Sequence, residues 1–337
     1  MATALVALGS NVGDRAATLD RAVELLQATP GVAAITSSRW HATRPIGGPG
    51  GQGEFLNGAA RIDTRLSPQA LLVQLHKIES ELGRVRDVRW DARTLDLDLL
   101  LYDEEVLDTP LLRVPHPGLT FRRFVLEPAV EIAADLVHPQ VGWTVRGLLE
   151  SLNTQPNYVA IGGHDRACKT ALAQQLAEQF DARLILDPTR STDSVPLGPD
   201  LAEAIESEVE KRRLDFQANP ELGAFNETNA RAFIRQKMLV DRRFWTDPEE
   251  LCISDFWFYE PLWVAHQASQ DGGPWDEFVN LENGPFASIQ QPKLLLLLQP
   301  AGWERDGLPS GQPAVSIRTS DPAAQLAEAA AALEAMR

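Results

Sequence analysis

Asp96 and Asp98 alternate with leucines in the run Thr94-Leu-Asp96-Leu-Asp98-Leu-Leu-Leu101. On a β-strand, residues two apart share a face, so the two carboxylates point the same way with Cα atoms ~6.6 Å apart. Carboxylates are costly to bury side by side. A divalent cation that takes hard oxygen ligands, Mg²⁺ first among them, is the simplest compensation. Arg84, Arg86, Arg89 and Arg93 lie just upstream. Their guanidinium forks suit phosphate oxygens. Metal-binding carboxylates beside such a basic loop are the equipment of phosphoryl transfer, where charge neutralisation and positioning carry most of the catalysis. The alternative is a surface loop whose arginines and aspartates pair only with one another. Spacing alone leaves both open.

The rest of the chain sharpens that contrast. Its 337 residues carry 31 Lys/Arg and 47 Asp/Glu, a net charge of −16. So acidic a chain is not a general nucleic-acid binder. Residues 1–150 hold 15 basic and 19 acidic residues, the remainder 16 and 28. A cluster of arginines against that background predicts a small polyanionic partner. Cys168 and Cys252 cannot build a disulfide framework. No apolar run approaches a membrane span, and the start of the chain lacks secretory character. The expectation is a cytoplasmic protein that binds neither membrane nor nucleic acid.

The elements that must hold these residues follow from periodicity. Residues 4–8 read as a strand, 16–28 as a helix, 32–42 and 55–64 as strands, 68–82 as a helix and 95–102 as a strand. Helices follow near 127–133 and 144–151. This β-α-β-β-α-β order predicts a ferredoxin-like α+β fold, an antiparallel sheet with helices on one face. A Gly- and Pro-rich loop at 44–53 is of a kind that covers sites. Gly9-Ser-Asn-Val-Gly13, between strand and helix, reads as a tight capped turn in preference to a phosphate cradle, since it lacks a P-loop lysine and the third glycine of a dinucleotide fingerprint. His41 and His138 have no partners at metal spacing and read as structural. The Ala-rich end, 323–335, predicts a surface helix.

A polar, aperiodic stretch at 151–157 marks a boundary, and a second start follows: strand 158–161, two glycines, then a helix through Leu172, Leu176 and Phe180. This segment predicts an α/β domain with a parallel sheet, giving domains at 1–152 and 157–337. Gly163-His-Asp-Arg-Ala-Cys168-Lys169-Thr170 fits a P-loop except that Cys168 stands at the second glycine, where backbone N–H groups would approach phosphates.

Residues 4–150 resemble the 6-hydroxymethyl-7,8-dihydropterin pyrophosphokinases of folate biosynthesis. The resemblance rests on Leu8-Gly-Ser-Asn-Val-Gly-Asp14, Glu54-Phe-Leu-Asn57, Ile78-Glu-Ser-Glu-Leu-Gly-Arg84, Arg89-Trp-Asp-Ala-Arg-Thr-Leu-Asp-Leu-Asp98, Val114-Pro-His-Pro117 and Arg122-Arg-Phe-Val-Leu126. It implies a ferredoxin-like fold and diphosphate transfer from ATP, the co-substrate, to the pterin hydroxymethyl group, with release of AMP. By the same resemblance Asp96 and Asp98 hold two Mg²⁺ ions. Arg84, Arg86 and Arg93 lie on or beside a loop closing over ATP, and Glu79, His116 and Arg122 contact the nucleotide. Phe55 and Phe124 sandwich the pterin, Asn57 and the backbone around Thr43 read its hydrogen-bonding edge, and Trp90 helps seal the closed site. Phe55 stands where tyrosine is commoner, which keeps the ring and drops a hydroxyl.

Residues 158–330 resemble the deoxynucleoside kinases, less closely. Gly163, Lys169 and Thr170 fall in the P-loop, Asp187 at the end of the second strand, Gln236 on a nucleobase-reading helix and Asp255 at the end of a later strand. The missing loop glycine, and a single arginine (Arg305) where that family's lid has several, leave three readings. The segment is an active nucleoside kinase, a nucleotide binder without turnover, or a silent scaffold for regulation or homodimer formation.

Overall fold

The computed structural model describes residues 1–46, 53–84, 93–163, 165–187, 249–260, 289–299 and 312–337, with a few positions between 207 and 218. The chain divides into two compact units. One comprises Met1–Gln155 with Pro309–Val315 and Ala323–Arg337, the other Pro156–Leu308 with Ser316–Pro322. The break along the chain falls after Gln155, but the C-terminal residues are shared, where the sequence assigned all of 157–337 to one domain.

In the first unit β1 (Ala2–Ser10) runs antiparallel to both β4 (Phe55–Thr64) and β5 (Asp96–Tyr102), and β2 (Val32–Ser37) closes the order β2-β4-β1-β5. That is an antiparallel βαββαβ sheet. β1 lies mid-sheet and is nearly all buried, as its run of Ala, Leu and Val dictates. Helix α1 (Arg15–Gln27) starts at Asp14, whose side chain accepts from the Ala17 N–H, so the capped-turn reading of residues 9–14 holds. Helix α2 (Pro68–Glu81) starts at Ser67 with Pro68 in its first turn. Leu19, Ala22 and Leu26 of α1 and Leu71, Leu75 and Ile78 of α2 pack in one core with Val6, Leu8, Ile62, Leu97 and Leu99. Helices α3 (Arg123–Ala133) and α4 (Val145–Thr154) follow; α3 begins a turn earlier than residue 127.

The single strand expected over 32–42 is two. β2 ends at Ser37 and β3 (His41–Thr43) pairs separately with β4. Between them the Ser38 hydroxyl donates to the Arg39 carbonyl and accepts from the Ala59 N–H, standing in for a ladder carbonyl. Trp40 lies against Gly58, where a Cβ would come within 2.3 Å of the indole.

The second unit holds β8 (Tyr158–Gly163), α5 (Arg166–Phe180), β9 (Arg183–Ile185), β10 (Cys252–Ser254) and β11 (Leu294–Leu298); β12 (Ala314–Ile317) straddles the division after Val315, and the sheet order is β12-β11-β8-β10-β9. β8 pairs parallel with β10 and β11, and β10 with β9. Every residue of β8, β10 and β11 is buried, which is why the leucine run of β11 is unbroken by polar residues. The Ala-rich helix α6 (Pro322–Met336) is not the surface helix expected. Ala329 to Leu333, Ala335 and Met336 are buried, because side chains this small let a helix be covered on more than one face. Among the described residues no helix is long and apolar enough to cross a membrane.

Candidate active site

β5 presents Asp96 and Asp98 on one face, with Leu97 and Leu99 turned into the core, as the alternation predicts. Asp96 is gripped by two guanidiniums. Arg84 Nη1 donates to Oδ1 at 2.7 Å, and Arg93 donates to Oδ2. Arg84 also donates to Glu79, a buried carboxylate on the inner face of α2 that accepts from the Leu97 N–H at 2.9 Å. Glu79 thus ties α2, Arg84 and β5 together. The arginine–aspartate pairing weighed as the bland alternative is present, but it lines a cavity. Glu79, Arg84, Asp96, Asp98 and His116 border a space of about 390 Å³ together with His76, Leu111, Leu112 and Arg113.

The arginine at the end of the arginine-rich loop, Arg93, is anchored through its main chain. Asn11 Oδ1 accepts from the Arg93 N–H at 2.7 Å, and the Asn11 N–H donates to the Arg93 carbonyl at 3.1 Å. Arg86 and Trp90, and residues 47–52 of the Gly-rich loop, lie outside the described residues.

His116 follows β7 (Arg113–Val114), and its N–H donates to the Leu100 carbonyl of β5 at 2.8 Å. Its Nδ1 accepts from the Gly118 N–H at 3.0 Å, which turns Nε2 to other partners. Burial pushes the His116 imidazole below its ordinary pKa; Asp98 and Asp96 oppose the shift and Arg122 adds to it. Burial also lowers Arg122, against the pull of Asp98 and Asp96. Arg122 packs over Gly118 so closely that a Cβ there would sit 2.4 Å from its Nε, and its guanidinium carbon lies 5.9 Å from the Phe124 ring centroid.

The expected pterin-side residues gather on β3 and β4. Thr43 faces Phe55 and His41 faces Asn57 in the register, and Asn57 Nδ2 donates to Thr43 Oγ1 at 2.6 Å. Phe55 is half-buried there, and Phe124 is half-buried on the first turn of α3. Gly9 of β1 lies between Asn57 on one neighbouring strand and Asp96 on the other. A Cβ at Gly9 would meet Asn57 Oδ1 at 3.1 Å. His41 instead pairs with Glu131 of α3 at 2.9 Å, and His138 accepts from the Val141 N–H in a turn.

In the second unit Lys169 Nζ donates to Glu260 Oε2 at 2.5 Å, and the Gly163 N–H donates to Glu260 Oε1 at 2.5 Å. Thr170 donates to Asp255 Oδ2 at 2.5 Å, and Asp255 Oδ1 accepts from the Asp187 N–H at 2.6 Å. Gly163 and Lys169 therefore meet through Glu260, a carboxylate that sequence reasoning passed over, and Thr170 and Asp187 meet on Asp255. Asp165 caps α5 through the Cys168 N–H, and its carboxylate holds the Cys168 thiol above the ordinary value. Gln236 and the segment containing Arg305 lie outside the described residues.

Sequence reasoning missed Asn11, His76, Arg113, Gly118 and Glu260. His76 could have been found from its three-residue spacing to Glu79 on one helix face. Gly118 contacts its near neighbours His116 and Arg122, while Asn11, Arg113 and Glu260 are brought in by the fold.

A family model of 7,8-dihydro-6-hydroxymethylpterin-pyrophosphokinase matches residues 5–134. The 2-amino-4-hydroxy-6-hydroxymethyldihydropteridine pyrophosphokinase of Haemophilus influenzae is 42% identical over 139 residues, 41% of this chain and 86% of that protein. The protein of the same name from Methylorubrum extorquens is 45% identical over 153 residues, 45% of this chain and 95% of that one. Among solved structures, a deoxyadenosine kinase from M. mycoides with bound dATP aligns over 43% of this chain and 65% of that chain at 12% identity, with a TM-score of 0.22. A likeness that weak adds nothing to the assignment of the second unit.

Proposed function

Through its first unit this chain belongs to the 7,8-dihydro-6-hydroxymethylpterin-pyrophosphokinase family, and from that premise we propose that residues 1–152 transfer diphosphate from ATP to the hydroxymethyl group of 6-hydroxymethyl-7,8-dihydropterin. The hydroxymethyl oxygen attacks the β-phosphorus roughly in line, the bond from that phosphorus to the α-phosphate oxygen breaks, and AMP leaves. The observation that carries the reading is the Asp96–Asp98 face of β5 with Arg84 and Arg93 on Asp96, bordering the same cavity as His116.

The donor set suits Mg²⁺. Two hard carboxylates share a strand face, and among the described residues no larger His, Cys, Asp or Glu cluster forms a closed cage. Such a site leaves coordination positions for phosphate oxygens and water. Asp96 and Asp98 would hold two Mg²⁺ ions, which when bound neutralise and align the polyphosphate. Arg84 and Arg93 then exchange Asp96 for phosphate oxygens, and Arg86 joins them. His116, Arg122 and Glu79 hold the nucleotide end. Burial keeps the His116 imidazole largely neutral before ATP arrives, ready to donate from one nitrogen. Phe55 and Phe124 stack on the pterin, Thr43 and Asn57 read its edge, and Trp90 excludes water from the reacting atoms.

For residues 157–337 the reading is a phosphate-binding α/β domain of the deoxynucleoside kinase type, supported by the convergence of Gly163, Lys169, Thr170, Asp187 and Asp255. Nucleotide analysis of the whole chain separates the activities, since the first yields AMP and a nucleoside kinase yields ADP. AMP is expected with the pterin, ATP and Mg²⁺; its absence refutes the central reading. ADP with any member of a deoxynucleoside panel makes the chain bifunctional, and no ADP with any of them leaves the second unit a binding module.

A further inference from the structure

We propose that the Glu260 carboxylate is the resident anion of an oxyanion site at the β8–α5 junction, and that a phosphate-type ligand enters only by displacing it. The inference rests on the reading of this unit as a phosphate-binding domain and adds how that site is governed.

The place is set by topology. Chain order reverses around β8, with β10 and β9 on one side and β11 and β12 on the other. In open α/β sheets the crevice at such a switch point, beyond the carboxyl ends of the strands, is where ligands bind. The carboxyl ends here are Gly163 of β8, Ser254 followed by Asp255, and Leu298 followed by Gln299.

The chemistry of the junction is that of an anion cradle. Gly163 has φ +138, and a Cβ there would lie 2.6 Å from the Leu298 carbonyl oxygen, so glycine alone fits. Its N–H and the Lys169 ammonium, 5% exposed, converge on one acceptor group. A backbone donor at a strand end and a buried lysine one turn into the following helix are how a loop of this kind holds phosphate oxygens. Here the two oxygens they hold are Oε1 and Oε2 of Glu260, itself 15% exposed. The carboxylate reproduces part of a phosphate: its charge and two of its acceptor positions.

A second observation points to a ligand. Gln299, 3% exposed and one residue beyond the register partner of Gly163, has no hydrogen-bond partner for Nε2 or Oε1 among the described residues. A buried amide left wholly unsatisfied is costly, and at this edge it offers a donor that a phosphate, larger than a carboxylate, can use.

The test is amide hydrogen exchange of the whole chain, read at residues 163–170, with and without tripolyphosphate and Mg²⁺. Tripolyphosphate bound at the first unit does not enter this readout. We expect no slowing in the wild-type chain at ~1 mM tripolyphosphate, at least ~10-fold slowing in Glu260→Gln, and none in Glu260→Gln with Lys169→Met. Glu260→Asp, which keeps the charge and shortens its reach, gives an intermediate slowing and serves if the Gln variant loosens the sheet. Equal slowing in wild type and Glu260→Gln overturns the resident anion while leaving the phosphate reading intact. No slowing in either Glu260 variant, with ligand-free exchange unchanged, overturns the oxyanion site and the phosphate reading of this unit with it.

Discussion

The two units carry the same ingredients, carboxylates and basic side chains at the end of a strand, in opposite poise. On β5 the anions belong to the site and the cations are on loan. Asp96, 22% exposed, is covered by Arg84 and Arg93, each a fork with donors to spare. An arriving polyphosphate can take the guanidiniums, and a divalent cation can take the released carboxylate, so both charges end paired. At the β8–α5 junction the cation, Lys169 of α5, is already matched by a resident anion, Glu260. Lys169 is a single point of charge, and Glu260 already fills its place. On the functions proposed above, one unit receives a metal–polyphosphate complex and the other first loses a partner. The contrast lies in what each carboxylate already holds: Asp96 of β5 is shared by two guanidiniums, whereas Glu260 takes one ammonium and one main-chain N–H.

The largest effect that could break this comparison is at the fixed anions. Asp96→Ala and Asp98→Ala are each expected to lower turnover by about 10³-fold or more, roughly 4 kcal/mol of transition-state stabilisation, with the circular dichroism of the fold unchanged. Near wild-type AMP formation in either would remove these carboxylates from the metal role. Arg93→Lys probes the forks. It keeps the charge and loses the bidentate geometry, and kcat is expected to drop by about 10² with little change in KM for ATP. An effect confined to KM would make Arg93 an ordinary binding residue. Gly118→Ala is expected to cost about 10-fold in kcat/KM, because the new methyl displaces Arg122 from its seat. Unaltered kinetics would show that Arg122 tolerates the shift.

The smallest effect calibrates charge pairs outside either site. Glu131 accepts from the Arg39 guanidinium and N–H and from His41, and the Arg39 hydrogen bonds hold its carboxyl at about 2, below the ordinary 4.5. A depressed carboxylate stabilises the fold above its unfolded pKa, and that stability fades as pH falls from about 4.5 towards about 2. After allowance for solvent screening, Glu131→Gln is expected to cost about 1 kcal/mol at pH 7 and nearly nothing at pH 2. A gap in denaturant midpoint that stays constant over this range would count against it.

Much of the first unit is legible along the chain because its signals are local. Alternation on β5 gives the shared face of Asp96 and Asp98, and helical spacing with Asp14 and Ser67 gives α1 and α2. The break between β2 and β3 is not legible, since it depends on Ser38 reaching Ala59 and Trp40 lying over Gly58 across the sheet. The buried α6 was misread because alanine suits a helix whether it is covered or exposed. In the second unit the P-loop-like spacing of Gly163, Lys169 and Thr170 is visible, but Glu260 lies about ninety residues further on. Nothing in its neighbours says that it folds back on Lys169.

Gly9 gives the sheet a further meaning. Two of the residues proposed to meet the pterin, Phe55 and Asn57, lie on β4, the two proposed metal ligands lie on β5, and one strand separates them, with Asn57 and Asp96 flanking the same glycine. Two ladder spacings, ~10 Å in all, therefore stand between the two halves of the reaction. That gauge is cut in main-chain hydrogen bonds, so no side-chain exchange can lengthen it.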